Sequence, residues 1–246
     1  MLLLHPFCSP MHSPPLIDVI IPAYNESQSI GRVIGAIPRG LVRDIIVSDN
    51  NSSDDTAKSA MAVGAVVVHQ PARGYGSACL AGMGYILARE KGDQPDIVVF
   101  LDGDFSDHPE EMPSLIAPLL LEGKDLVIGS RVTGNHDRGS LTIPQRFGNW
   151  LATSIIGLVY GFRYTDLGPF RAIRWEKLLE LRMQDKNYGW TVEMQVKALQ
   201  HQLLCAEVPV SYRKRIGKSK VSGTVKGSLL AGHKILWTIF KSLLST

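Results

Sequence analysis

Apolar and polar residues alternate along the first half of the chain in blocks that predict short strands separated by helices. Apolar runs of four or five residues are typical of buried strands, and the amphipathic segments between them are typical of helices. Regular strand–helix alternation indicates a mostly parallel, doubly wound α/β sheet with helices on both faces. The predicted strands are Ile17–Ile21, Asp44–Ser48, Ala65–His69, Ile97–Leu101 and Asp125–Gly129, and the predicted helices are Ser29–Ile37, Asp54–Val63, Ser77–Lys91 and Pro109–Leu121.

The second half of the chain has a less regular pattern. We predict helices over Gln145–Gly161 and Thr191–His201, a short strand after the Gly168-Pro169 turn and another over Leu204–Val210. We therefore expect a disordered leader over residues 1–16, one α/β domain over residues 17–223 and a C-terminal amphipathic helix over residues 224–246. The leader lacks the basic start and long apolar core of a signal peptide.

Polar or glycine-rich loops follow the first four predicted strands. If these strands run parallel, their loops share the carboxyl edge of the sheet, where ligands bind in open α/β folds. The sequence therefore predicts one composite site at that edge. The loops are Pro22–Glu26, Asp49–Asp54, Pro71–Gly76 and Asp102–Asp104.

The most informative of these loops is Asp102-Gly103-Asp104, which directly follows a buried apolar run. Two adjacent carboxylates repel each other unless a cation lies beside them. A hard divalent metal ion bound to both carboxylates and to a phosphate would remove this repulsion. The alternative is a pair of helix-capping residues, because Pro109 stands near a predicted helix start.

The other loops also carry side chains suited to a nucleotide. Tyr24 could stack on a base, Glu26 could accept from a ribose, and Asp49 could accept from a base N–H; ordinary turns are the alternative for each. The glycines of Arg73–Ala78 could let a phosphate approach the backbone, although such a pair is more often a simple turn. Arg131 follows the fifth strand, where it could bind a phosphate or form a surface ion pair, and the sequence favours neither.

The charge of the chain is unevenly distributed. The net charge is +3, but eight of the 26 Lys and Arg residues follow Glu207, where there is no acidic residue, so the remainder has 18 basic against 23 acidic residues. This pattern indicates an anionic partner near the C-terminus. The basic segment Arg213–Lys220 could be a flap that closes on a polyphosphate or a nucleic-acid patch. The terminal helix has Lys226, Lys234 and Lys241 in one sector and could lie in a membrane interface or pack on the domain.

Three scattered cysteines, Cys8, Cys79 and Cys205, show neither metal-ligand spacing nor a disulfide framework, which favours a reducing compartment.

Taken together, these motifs resemble the family 2 glycosyltransferases, whose order of motifs they follow from Ile17 to the C-terminus. Three later segments are similar to the dolichyl- or polyprenyl-phosphate mannose (or glucose) synthase branch: Asp166–Arg171, Glu207–Val210 and Arg215–Lys220. The resemblance implies a GT-A fold and an inverting transfer of a hexose from a nucleotide sugar, such as GDP-mannose or UDP-glucose, to a polyprenyl phosphate. It also implies a Mg²⁺ or Mn²⁺ cofactor and a peripheral position on the cytoplasmic face of a membrane, with a membrane-protein partner.

The resemblance also implies roles for individual residues. It places Asp104 at the main metal-ligand position and Ser106 at a second one, with Asp104, Arg131 and Arg215 as catalytic residues. It assigns Arg131 and Arg146 to the acceptor phosphate. The implied donor-binding residues are Pro22, Tyr24, Glu26, Val47, Asp49, Asp102, Gly103, Arg131, Arg215 and Lys220.

The sequence departs from the family pattern at two places. The second strand often ends in Asp-Asp, but here it ends in Ser48-Asp49. The flap often has one more residue between its Arg and Gly, so Arg213 or Lys214 could be the functional cation in place of Arg215. A hydroxyl acceptor remains the alternative within the family. A pyrophosphorylase would need a basic glycine-rich loop after the first strand, and a nucleic-acid protein would need more aromatic residues than the lone Tyr212 near the flap, so we expect no nucleic acid.

Overall fold

A computed structural model describes residues 14–217, and within this range the chain forms one seven-stranded sheet with helices on both faces. The order of the strands in the sheet is β3-β2-β1-β4-β6-β5-β7. The strands are β1 (Ile17–Ala23), β2 (Asp44–Asp49), β3 (Val66–His69), β4 (Ile97–Phe100), β5 (Leu126–Ser130), β6 (Arg171–Arg174) and β7 (Cys205–Pro209). The helices are α1 (Ile30–Ala36), α2 (Thr56–Ala62), α3 (Tyr75–Leu87), α4 (Met112–Leu121), α5 (Ile143–Tyr160), α6 (Trp175–Glu180) and α7 (Trp190–Gln200).

The predicted mostly parallel α/β architecture is confirmed. Every strand and helix predicted between residues 17 and 210 is present, with shifted ends, and α6 is an additional helix. The predicted C-terminal helix and Lys220 lie outside the described residues, as does nearly all of the predicted leader. Among residues 14–217, no helix has both the length and the hydropathy needed to cross a membrane.

One strand, β6, runs antiparallel to its neighbours β4 and β5. The chain leaves α5 and returns to the sheet at its carboxyl edge, where Arg171 is paired with Phe100 at the end of β4. Because the chain enters the sheet from this edge, β6 must run in the opposite direction. The loop before β6 therefore lies at the same edge as the loops that follow the parallel strands.

Two apolar cores pack on opposite faces of the sheet. On β1, Ile20 belongs to the core beneath α3, α5, α6 and α7, whereas Val19 and Ile21 belong to the core beneath α1, α2 and α4. This alternation follows from the two-residue period of a strand. It leaves the ends of the strands, rather than their faces, available to ligands.

A buried ion-pair cluster stabilises the amino-terminal edge of the sheet, opposite the edge of the predicted site. The Asp18 side chain is fully buried, and its carboxylate accepts hydrogen bonds from Arg43 Nη2 and Arg89 Nη1, both at 2.7 Å. Replacing Asp18 by alanine would leave two guanidinium groups without their shared carboxylate. We expect the free energy of unfolding to fall by about 3 kcal/mol in urea denaturation. Asp55→Ala, which breaks the exposed pair with Lys58, should leave the urea midpoint unchanged and serves as the control.

Candidate active site

The loops that follow β1, β2, β3 and β4 converge at the carboxyl edge of the sheet, as the sequence predicts, and the loops after β5 and β7 join them there. They border two cavities, of about 300 Å³ and about 630 Å³, that share Asp102, Asp104 and Arg215. Each cavity is also lined by residues of its own. The smaller one is lined by Pro22, Ala23, Tyr24, Glu26, Asn50, Arg73, Gly74, Tyr75, Ala78, Gly103 and Tyr188.

The carboxylate of Asp104 lies at the junction of the cavities and is almost completely buried. Its Oδ1 accepts hydrogen bonds from the backbone N–H of Ser106, at 2.9 Å, and from the Ser106 hydroxyl. Its Oδ2 lies 2.9 Å from Arg215 Nη2. Ser106 therefore holds the orientation of Asp104, and its predicted place in a metal shell remains a prediction.

Arg215 connects the loop that follows β1 with the loop that follows β4. Its Nη2 also lies 3.2 Å from Glu26 Oε1, and the backbone N–H of Ile216 donates to the Asp104 carbonyl at 2.9 Å. The guanidinium therefore lies between Glu26 and Asp104 and lines both cavities. The predicted convergence of Glu26, Asp104 and Arg215 is therefore present in the structure.

Arg213 and Lys214, the other basic flap residues within the described part of the chain, line neither cavity. The Arg213 guanidinium lies 3.8 Å from the centre of the Phe105 ring and 3.5 Å from Glu110 Oε2, so it fixes the flap to the protein. Lys214 is exposed, and its backbone N–H donates to Asp137. Of the three alternatives for the flap cation, only Arg215 lines the cavities.

Carboxylates are crowded around the junction. Burial, followed by the negative charge of Asp104, raises the pKa of Asp102 to about 7, although Arg215 and a hydrogen bond from Tyr75 oppose the shift. Burial and the charges of Asp102 and Asp104 also raise the pKa of Asp107 well above its usual value. A bound cation would relieve this repulsion.

The residues present fit a divalent metal whose shell is completed by a ligand. Among residues 14–217, no three His, Cys, Asp or Glu side chains form a complete metal cage. However, the buried Oδ1 atoms of Asp102 and Asp107 have no hydrogen-bond partner. Mg²⁺ is commonly held by one or two carboxylates together with substrate phosphates, so a complete protein cage is not needed.

Three predicted donor-binding residues, Val47, Asp49 and Arg131, lie outside the lining of the smaller cavity, and Arg131 lines the larger one instead. The side chain of Val47 is fully buried in the core of the sheet. Asp49 is 5% exposed; its Oδ2 lies 3.4 Å from His69 Nδ1, and its Oδ1 has no hydrogen-bond partner. The role of Asp49 in recognising a base remains a prediction.

The glycines at the start of α3 make room for another loop of the protein rather than for a phosphate. A Cβ atom on Gly74 would lie 2.0 Å from the Lys186 carbonyl oxygen, and one on Gly76 would lie 1.9 Å from that of Asp185. The backbone N–H groups of Gly76 and Ser77 donate to carbonyls of this same loop. Protein carbonyls therefore occupy the N–H groups of Gly76 and Ser77, and the close approach that the two glycines allow is made by this loop, which corrects the phosphate interpretation of this segment.

Asn50 and Arg73 are cavity residues that no separate sequence signal identified. The Asn50 side chain accepts from Gly74 N–H at 2.7 Å and donates to the Ala72 carbonyl at 2.8 Å, so it fixes the loop after β3. The Arg73 guanidinium lies 4.2 Å from the centre of the Tyr24 ring. This pair gives the smaller cavity a flat aromatic surface with a positive charge beside it.

The larger cavity is rich in arginine. Arg131 Nε and Nη2 form a fork with Asp166 Oδ2 and Oδ1, at 2.7 and 2.8 Å, and Asp166 raises the pKa of Arg131 well above its usual value despite burial. Arg146, in the first turn of α5, lines the same cavity, and its contact with an acceptor phosphate remains a prediction. Arg163, which the sequence analysis did not select, lines it as well. The cavity therefore suits an anion.

Comparison with known proteins agrees with this arrangement. Residues 18–196 match the model of the family described as glycosyl transferase family 2. Among curated relatives, the chain is 38% identical over 218 residues to an uncharacterized glycosyltransferase of Mycobacterium tuberculosis, with 87% of this chain and 94% of the relative covered. It is 32% identical to a dolichyl-phosphate hexose transferase of Haloferax volcanii, covering 87% and 90%. It is 30% identical to an undecaprenyl-phosphate mannosyltransferase of Micrococcus luteus, covering 85% and 88%.

The fold is also similar to that of a solved enzyme with bound ligands. This is glucosyl-3-phosphoglycerate synthase of Mycobacterium tuberculosis, in complex with Mn²⁺, UDP-glucose and phosphoglyceric acid. The TM-score is 0.71 at 26% identity, and the match covers 93% of this chain and 79% of that one. The family match, the relatives and the convergent loops together show that this chain is a family 2 glycosyltransferase, similar to the polyprenyl-phosphate sugar synthases, with a GT-A-like fold.

Proposed function

We propose that the protein transfers a hexose from a nucleotide sugar to a polyprenyl phosphate at the cytoplasmic face of a membrane. The main support for this proposal is that a nucleotide-sized cavity and an arginine-rich cavity meet at Asp104 and Arg215. A sugar bound at this junction has its leaving group on one side and its acceptor on the other. Relatives with a dolichyl- or undecaprenyl-phosphate substrate in their names support this choice of acceptor.

The smaller cavity suits the nucleoside diphosphate part of the donor. Tyr24 with Arg73 offers a stacking surface, and Asp102, Asp104 and Arg215 lie where the diphosphate would meet the sugar. When bound, a Mg²⁺ or Mn²⁺ ion would offset the charge that builds on the leaving diphosphate. Asp104 would hold this ion, with Asp102 beside it. The similar solved enzyme contains Mn²⁺ with UDP-glucose, which supports a divalent metal here.

The larger cavity suits the acceptor phosphate. The side chain of Arg131 is 14% exposed, and Asp166 fixes its guanidinium. The N–H groups of Arg131 are therefore oriented before a ligand binds. A phosphate monoester is already anionic at neutral pH because its second pKa is near 6. Its oxygen can therefore attack the anomeric carbon without a general base. The bond from that carbon to the donor phosphate breaks as the new bond forms on the opposite face, so the configuration inverts.

A lipid acceptor also explains an exposed apolar face on α5. At about 100° per residue, four large apolar side chains of this helix fall within a sector of roughly 80°. Their exposed fractions are 82% for Ile143, 61% for Phe147, 56% for Trp150 and 88% for Leu158. Trp150 also lines the larger cavity, so the apolar face begins where the acceptor phosphate would bind. This arrangement suits a helix that lies in a membrane interface while a prenyl chain leaves the cavity.

Placing a charge on this apolar face should weaken membrane binding. We expect Leu158→Asp to lower the affinity for phosphatidylglycerol-containing vesicles by about tenfold in flotation assays, since one leucine loses its place in the lipid. Leu121→Asp is the matched control, because Leu121 is 83% exposed on α4 and lines neither cavity. Equal flotation of the two variants would remove α5 from the membrane interface.

A set of matched acceptors tests the proposed reaction. A prenyl phosphate, the corresponding prenyl alcohol and 3-phosphoglycerate are each offered with UDP-glucose or GDP-mannose and Mn²⁺, and release of nucleoside diphosphate is measured. The proposal expects acceptor-dependent turnover with the prenyl phosphate alone. Turnover with the alcohol would favour the hydroxyl-acceptor alternative, and turnover with 3-phosphoglycerate would favour the activity of the similar solved enzyme.

A further inference from the structure

We propose that Glu207 is a positioning residue that fixes the acceptor-facing Arg131 through the loop Thr165–Asp166. The inference rests on the proposed function, because it treats Arg131 as the cation that meets the acceptor phosphate. Glu207 lies on β7 and lines neither cavity. Its effect on the reaction must therefore pass through other residues.

The Glu207 carboxylate organises the backbone at the start of this loop. Oε1 accepts from the N–H groups of Thr165 and Asp166 at 3.0 and 3.1 Å. Oε2 accepts from the Thr165 N–H at 2.8 Å and from the Thr165 hydroxyl at 2.9 Å. Hydrogen bonds to an ionised carboxylate are stronger than those between neutral groups, so one side chain fixes two consecutive residues of the loop.

The loop in turn determines where the Arg131 guanidinium lies. Asp166 is 1% exposed, and it accepts from Arg131 Nε at 2.7 Å, Arg131 Nη2 at 2.8 Å and the Arg131 backbone N–H at 2.8 Å. Because the carboxylate–guanidinium fork is planar and bidentate, a rotation of Asp166 turns the guanidinium with it. Glu207 is therefore linked to Arg131 through one residue: it binds the backbone N–H of Asp166, and the carboxylate of Asp166 binds the guanidinium.

Other elements hold the same loop through neutral side chains. Asn149 of α5 donates to the Thr165 carbonyl at 2.9 Å and accepts from Leu167 N–H at 2.8 Å, and Gln195 of α7 donates to the Asp166 carbonyl at 2.9 Å. These bonds should keep the loop folded when Glu207 is replaced. Its loss would then change the position of Asp166 and Arg131 more than the stability of the domain.

A buried glutamate on α7 provides a matched comparison on the donor side. Glu193 of α7 accepts from the N–H groups of Gln184, at 3.0 Å, and Asp185, at 2.7 Å. That loop packs against Gly74 and Gly76 beside the smaller cavity. Glu193 thus performs the same local task as Glu207, but for a loop that contacts the donor cavity.

The test compares Glu207→Ala, Glu207→Gln and Glu193→Ala in the full chain, with a short prenyl phosphate as acceptor. We expect Glu207→Ala to raise the acceptor KM by about 10- to 100-fold while the Kd for the nucleoside diphosphate is unchanged. Glu207→Gln should recover only part of this loss, because its amide oxygen can accept from backbone N–H groups but its NH2 group then faces another backbone N–H donor. Glu193→Ala should instead weaken nucleotide binding and leave the acceptor KM near that of the parent protein.

A spectroscopic measurement separates this inference from the proposed function. The ¹H–¹⁵N signal of Arg131 Nε, assigned by its absence in Arg131→Lys, should be slow to exchange in the parent protein and lose that protection in Glu207→Ala. Unchanged exchange of the Nε proton or an unchanged acceptor KM in Glu207→Ala would overturn the positioning role. Absence of turnover with prenyl phosphate in the parent protein would instead overturn the proposed function. If Glu207→Ala does not fold, Thr165→Val, which removes the hydroxyl bonds to Glu207 and Ser130, should cause a smaller loss of protection at Arg131 Nε.

Discussion

Replacing Asp104 by asparagine should lower kcat by at least about 100-fold while the protein remains folded. The substitution keeps the shape of the side chain and an oxygen that can accept from Ser106, so the loop should persist. It removes the negative charge that pairs with Arg215 and that would hold a divalent cation. Removing one preorganised electrostatic contact from a transition state typically costs about 10²- to 10³-fold in rate.

Steady-state kinetics at saturating Mn²⁺ measures this effect. Asp55→Asn, an exposed carboxylate at the start of α2, should retain the parent rate and serves as the control. A higher Mn²⁺ requirement in Asp104→Asn would support a direct metal contact. If Asp104→Asn kept the parent kcat and the parent Mn²⁺ dependence, neither metal binding nor catalysis could be assigned to this residue.

The second large effect is expected at Arg131. Arg131→Lys keeps a positive charge beside the buried Asp166, but an ammonium cannot form the two-bonded fork with Oδ1 and Oδ2. We expect kcat/KM for the acceptor to fall by about 100-fold, because a displaced cation no longer meets the phosphate in the reactive geometry. Donor binding should change little, because Arg131 does not line the smaller cavity.

Separate titrations of donor and acceptor measure this selectivity. Arg138→Lys makes the same chemical change at an exposed position that lines neither cavity, and it should behave as the parent protein. Equal losses for donor and acceptor in Arg131→Lys would indicate general damage to the site. They would contradict the division of the site into a donor side and an acceptor side.

The sequence predicts most of the fold because strands such as β1, β4 and β5 are buried along their whole length. Such strands appear as short apolar runs, and the period of two along β1 assigns Ile20 to one core and Val19 and Ile21 to the other. The antiparallel direction of β6 is a different matter. It depends on the edge at which the chain re-enters the sheet after α5, and no local pattern in Arg171–Arg174 encodes this edge.

The site was predicted where its residues follow strands and was missed where they come from distant loops. Asp104 and Arg131 directly follow apolar runs, so their place at the carboxyl edge follows from a parallel sheet. Arg163 and Tyr188 reach the cavities from irregular loops of the second half, and their contacts depend on tertiary packing. The sequence also could not distinguish among Arg213, Lys214 and Arg215 as the flap cation. In the structure Arg213 packs on Phe105, and of these three only Arg215 contacts Asp104.

The glycines before α3 show how one motif can have two physical causes. Gly74 and Gly76 allow a close backbone approach, which the sequence does indicate. The approaching group is the carbonyl backbone of residues 185 and 186, about 110 residues further along the chain. A sequence pattern can show that space is required, but it does not show what fills the space.

The most direct test of the central claim is the chemical stability of the labelled product. The protein is incubated with a sugar-labelled nucleotide donor, Mn²⁺ and polyprenyl phosphate, and the organic phase is then treated with mild acid. A glycosyl phosphate is cleaved at its anomeric bond under these conditions, whereas an ordinary glycoside largely survives. We predict label in the organic phase that mild acid releases as free hexose. Label that withstands the acid, or that never enters the organic phase, would contradict transfer to a polyprenyl phosphate.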